Sequence, residues 1–136
     1  MATWEEYSAT MVGPFSLGAA AKENDVTLLA HLVERGADVN ARDVRGYSAL
    51  MLAAYGGHTE AVAWLLEHGA DPNSRDVAGN SVLMGAAFKG YIGLVRKLLD
   101  AGADPSVRND AGLDARQFAA MFGREDVVEL LDTLVR

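Results

Sequence analysis

The stretch DVRGYSALMLAAYGGHTEAVAWLLEHGADPN, residues 43–73, decides how the chain folds. It opens on turn-forming residues from Asp43 to Tyr47, runs through an apolar segment to Gly56 and Gly57, resumes with a second apolar rhythm, and closes on Gly69-Ala70-Asp71. Glycine adopts the left-handed backbone that ends many helices without a steric penalty. The stretch therefore predicts a polar turn followed by two short helices, the first ending at Gly56-Gly57 and the second just before Gly69.

The same unit recurs on both sides. Gly36, Gly69 and Gly102, each followed by Ala and Asp, lie 33 residues apart, as do Gly46, Gly79 and Gly112 and also Arg42, Arg75 and Arg108. Asp43, Asp76 and Asn109 keep the same step. Alanine pairs at 20/21, 53/54, 86/87 and 119/120 extend it to four units. On the second helix of each unit the columns Leu28/Ala61/Leu94/Val127, Leu29/Val62/Val95/Val128 and Leu32/Leu65/Leu98/Leu131 fall at i, i+1 and i+4, one helical face. Further first-helix ends fall at Gly90 and Gly123, and Asn24 fills the capping role in the first unit.

With a fixed period established, the pattern Asp43-x-x-Gly46-x-Ser48-x-Leu50-x-x-Ala53-Ala54-x-x-Gly57-His58, then Leu65-Leu66-x-x-Gly69-Ala70-Asp71-x-Asn73, resembles the ankyrin repeat. The resemblance implies an all-α solenoid of helix-turn-helix units joined by β-turns. It gives an ankyrin-repeat domain over residues 12–136, with units at about 12–42, 43–75, 76–108 and 109–136. Alanine pairs keep the first helices thin enough to stack, and the Leu and Val columns build a core that one unit alone could not bury. Residues 1–11 are expected to form an N-terminal lid helix, since Thr3 and Glu6 make a capping-box pattern and Trp4, Tyr7 and Met11 share one face. At the other end Arg116 replaces Leu50 and Leu83, and Asp132 replaces Leu66 and Leu99, which predicts a polar C-terminal cap.

The chain departs from the family where ankyrin repeats have Thr-Pro-Leu-His. It has Ser48-Ala49-Leu50-Met51, Ser81-Val82-Leu83-Met84 and Asp114-Ala115-Arg116-Gln117. Serine and aspartate still cap a helix, and Asp114 with Gln117 makes a capping box. Methionine lacks histidine's polar links, so hydrogen bonding between units is expected to be weaker than in the most regular members. The Asp and Arg of the turns are expected to form an exposed ladder between neighbouring tips, each pair contributing ~0–1 kcal/mol.

Composition bounds the function classes. The 136 residues suit one domain with its own core, and half of them are apolar. The absence of cysteine excludes disulfide scaffolds, cysteine zinc sites and thiol catalysis. A net charge of -7 and a pI near 4.8 disfavour nucleic acid as a partner. Every apolar run is interrupted before the ~20 residues a membrane span needs. Trp4, Glu5 and Glu6 stand where a signal peptide needs a basic start, so a cytoplasmic location is expected.

Ankyrin repeats bind proteins through turn tips and the concave face of the first helices, and the resemblance carries that role to particular positions. Tyr55, Phe88 and Met121 form one column there, with Phe122, Met51, Met84 and Lys89 beside it. The tips add Val44, Arg45, Tyr47, Val77, Asn80 and Leu113. An aromatic and methionine row in register over three units points to a contact surface; the competing reading is that these rings merely pad the helix pairs. The three histidines, His31, His58 and His68, fall at unrelated positions of the unit and offer no converging metal ligands. Asp71-x-Asn73-x-Arg75 has Asp76 and Val82 where a calcium loop needs glycine and glutamate. Neither a serine-nucleophile elbow nor a phosphate-cradling glycine loop is present. The expected function is that of a non-enzymatic, cofactor-free module binding a partner protein. The alternatives are a dedicated inhibitor or protective subunit of one enzyme, or a self-associating homodimer.

Overall fold

A computed structural model of the protein describes residues 16–134. The reading of residues 1–11 as a lid helix lies outside them. Among the described residues eight helices follow in pairs: α1 (Leu17–Lys22) with α2 (Val26–Glu34), α3 (Ala49–Tyr55) with α4 (Thr59–Glu67), α5 (Val82–Lys89) with α6 (Ile92–Asp100), and α7 (Ala115–Met121) with α8 (Glu125–Leu134).

The first helix of each pair starts where a hydroxyl or carboxylate takes up one of its free N–H groups. Ser16 Oγ accepts from Ala19 N–H, Ser48 Oγ from Met51 N–H, Ser81 Oγ from Met84 N–H, and Asp114 Oδ1 from Gln117 N–H. Gln117 Oε1 accepts from Asp114 N–H in return, completing the expected capping box. Methionine does supply one polar link: Met84 Sδ accepts from Ser81 N–H at 3.4 Å. Where these helices end, Asn24, Gly57, Gly90 and Gly123 share one left-handed backbone, with φ of 56°, 73°, 76° and 72°. Asn24 also reaches into the next unit, its Oδ1 accepting from Ala61 N–H at 3.0 Å, which glycine could not do.

The core is continuous along the stack. Leu32, Leu65, Leu98 and Leu131 are all buried, and so are Ala20, Ala53, Ala86 and Ala119. Each fully buried leucine is worth roughly 1.5–3 kcal/mol over an exposed one. The small alanines let α1, α3, α5 and α7 pack closely one on the next, while α2, α4, α6 and α8 meet more lightly. Ala120, on the last of the described helix pairs, is exposed, unlike Ala21, Ala54 and Ala87.

Polar links between units are concentrated in the turns. Asn40 donates to the Gly69 carbonyl and accepts from Asp71 N–H, and Asn73 repeats this with Gly102 and Asp104. The turn arginines do not form the expected ladder with aspartates of neighbouring tips. Arg42 donates to the Arg75 carbonyl at 3.0 Å and Arg75 to the Arg108 carbonyl at 2.6 Å, because a 33-residue register sets each guanidinium opposite the backbone of its own counterpart. The tip ion pair, Arg45 with Asp43 at 3.2 Å, stays inside one turn. At the C-terminal end Arg116 donates through Nε and Nη2 to both carboxylate oxygens of Asp132, so the two residues that replace leucine columns neutralise each other. Among the described residues no helix is long and apolar enough to cross a membrane.

Candidate functional site

On the face where α3, α5 and α7 meet the turn tips lies a groove of about 460 Å³. Its walls are aromatic, formed by Tyr47, Tyr55, Phe88 and Phe118, and its floor is Met84 and Gly85. Asp76, Asn80 and Lys89 supply its polar groups. Periodicity places them: Tyr55 and Phe88 fall one period apart at the ends of α3 and α5, while Tyr47 and Asn80 occupy the same register in successive turns.

The rings lock one another. Tyr47 and Tyr55 meet edge to face with centroids 6.0 Å apart, and Phe88 and Phe122 do so at 4.4 Å. The Arg45 guanidinium lies 4.5 Å from the Tyr47 ring centroid, and Lys89 Nζ lies 5.9 Å from that of Phe88. Arg124 Nε donates to the Phe88 carbonyl at 3.0 Å, tying the last helix pair to the end of α5. Burial, then the nearby Asp76 charge and then Tyr47, push the Tyr55 hydroxyl well above the ordinary tyrosine range.

The contact stripe expected from sequence divides into three parts. Met51 does not present itself to a partner, being wholly buried in the first turn of its helix beneath the capping serine, whereas Met84, nearly buried in the same register, still lines the groove. Tyr55 and Phe88 are half-buried and form the walls. Met121 and Phe122 are open to solvent, at 62% and 46% exposure, beyond the groove. The tips Val44 and Val77 stand clear at 98% and 74%, Arg45 and Lys89 are exposed, and Asn80 and Leu113 are half-buried. Three groove residues escaped the sequence reading, Asp76, Gly85 and Phe118. The column Leu52, Gly85, Phe118 held the signal, a helical glycine between two large residues one period away.

The histidines stay apart. His68 lies against Trp64, rings stacked at 3.8 Å, with Nδ1 2.7 Å from the Trp64 carbonyl oxygen. His58 stands at the N-terminal cap of α4 and His31 on α2. Among the described residues no group of three or more His, Asp or Glu side chains could hold a metal ion.

Helix pairs stacked at a constant sequence period, with a grooved inner face beside the turns, define a helical-repeat protein. The family model for ankyrin repeats, in three copies, matches residues 17–109, and the chain belongs to the ankyrin-repeat family. Repeats of this family are generally protein–protein interaction modules. No curated protein matches the chain.

Proposed function

We propose that the protein binds a segment of a partner protein in the groove between its turn tips and its first helices, without catalysis or cofactor. The observation that carries this reading is the groove itself, an aromatic trough open to solvent with a few fixed polar groups, the composition that binding sites favour. Rings held edge to face have little freedom left to lose on binding, which lowers the cost of ordering the site. The exposed tips Val44 and Val77 would extend the contact along the stack.

Selection of random twelve-residue peptides displayed on phage against the full chain tests the reading. Recovered peptides are expected to bind Phe88→Ser and Tyr47→Ser at least ~10-fold more weakly, with circular dichroism showing both variants folded, as loss of a contact residue at the centre of a small interface does. Peptides that bind both folded variants as well as the parent, or a failure to enrich any peptide, would overturn it.

A further inference from the structure

We propose that the segment held in this groove presents an arginine to Asp76, its guanidinium laid against the tyrosine rings. This rests on the binding reading above and names the chemistry of the occupant. It follows from a difference between two copies of one turn.

Asp43 and Asp76 hold the same place in successive units and do the same local work. Asp43 Oδ1 accepts from the N–H groups of Arg45 and Tyr47 at 2.9 and 3.0 Å, and Asp76 Oδ1 accepts from those of Ala78 and Asn80, both at 2.9 Å. Their second oxygens differ. Asp43 Oδ2 meets Arg45 Nη2 at 3.2 Å, while that same guanidinium covers the Tyr47 ring. One period on, position 78 is alanine, and Asp76 Oδ2 meets only the neutral amide of Asn80, at 3.2 Å. The ion pairs among the described residues are Asp43–Arg45 and Arg116–Asp132, and Asp76 takes part in neither. In the last unit the register holds Asn109 and carries no charge.

One carboxylate thus lines the aromatic groove without a cation. Its field reaches the rings, since Asp76 contributes to the upward shift of the Tyr55 hydroxyl. A partner's guanidinium would supply to Asp76 what Arg45 supplies to Asp43: a charge-assisted hydrogen bond together with stacking on a tyrosine. Arginine suits the site better than lysine because a planar guanidinium can lie on a ring and still donate from its edge, whereas an ammonium is compact and strongly hydrated.

Lys89, at the far end of α5, is set off from the turn by roughly 10 Å of helix. It repels a cation from its own end and donates to a carbonyl or carboxylate there, which gives the bound segment a direction.

The test uses peptides from the selection described above that lose binding to Phe88→Ser. Each is expected to contain an arginine whose replacement by lysine or alanine weakens binding about tenfold, in the range for truncating a charged pair in an interface. Asp76→Asn keeps the oxygen that caps the turn and should weaken the parent peptide by the same factor, yet have no effect on the arginine-replaced peptide. Asp71→Asn, an equal charge change at an exposed tip outside the groove, should leave binding unaltered. Groove-dependent peptides lacking arginine, or silence of Asp76→Asn, would overturn this inference and leave groove binding standing. Absence of any groove-dependent peptide would overturn both.

Discussion

Gly85 and Tyr55 compete for one volume: a Cβ on residue 85 would fall 1.8 Å from Tyr55 Cε1. The Tyr55 ring, at the end of α3, therefore lies across the backbone of α5, in space that a side chain at position 85 would fill. A glycine inside a helix costs about 1 kcal/mol relative to alanine. Here it makes room for a ring that lines the groove, so binding surface and helix stability are set against each other at one position.

Gly85→Ala should consequently destabilise the protein despite the better helix former. The propensity gain of about 1 kcal/mol is outweighed by an overpacking cost of about 1–3 kcal/mol as the ring is displaced. Urea unfolding should show a net loss of about 1 kcal/mol. In a Tyr55→Ala background the sign should reverse, because the obstructing ring is gone. A stabilising Gly85→Ala in the parent would mean that the ring moves aside freely.

The same ring makes an alkaline prediction. The Tyr55 hydroxyl is raised by burial, then by Asp76 and Tyr47. Its folded value exceeds the unfolded one, so its contribution to stability is complete below the ordinary tyrosine pKa near 10 and is lost as pH climbs through the folded value. Absorbance titration of phenolate should show one tyrosine that ionises late and disappears in Tyr55→Phe. Asp76→Asn should bring that late step to lower pH.

Much of this was legible because stacking demands repetition. A 33-residue step in Gly36, Gly69 and Gly102 fixed the helix ends, and the buried Leu32, Leu65, Leu98 and Leu131 column followed from it. The site was less legible because it arises where copies differ. Met51 shares the concave helices with Phe88, yet its place in the first helical turn sends it inward. Tyr55 lines the groove through the absent side chain of Gly85, a relation between columns that no single column displays. The turn arginines also showed how register governs partners, by setting like residues opposite one another and directing Arg42 to the Arg75 carbonyl.

Asn73 ties two units together through both ends of its amide, donating to the Gly102 carbonyl at 3.0 Å and accepting from Asp104 N–H at 2.7 Å. Position 106, one period later, is serine, bonded within its own turn to Asp104. Asn73→Ala should cost about 1–2 kcal/mol in urea unfolding, while Ser106→Ala costs less. Asn73→Asp keeps the acceptor but sets a carboxylate against the Gly102 carbonyl, so it should not restore the parent's stability. Equal effects at 73 and 106 would show that the amide bridge contributes nothing beyond a local turn.

Arg116 and Asp132 occupy columns that are leucine in the units before them, and they neutralise each other on the last of the described helix pairs. Both remain about half exposed, so their value lies less in the strength of the pair than in what they prevent. Restoring the columns with Arg116→Leu and Asp132→Leu together would join two apolar side chains to the exposed Met121, Phe122 and Leu134 of the same helix pair. A larger continuous apolar end is a surface to which another copy can stack. The double variant should keep its helical circular dichroism but gain mass with concentration in light scattering, whereas the parent should change much less over the same range. Single substitutions should fall between, since each leaves one charge on the end face. A double variant that scattered like the parent at every concentration would show that the polar pair does not serve to close the stack.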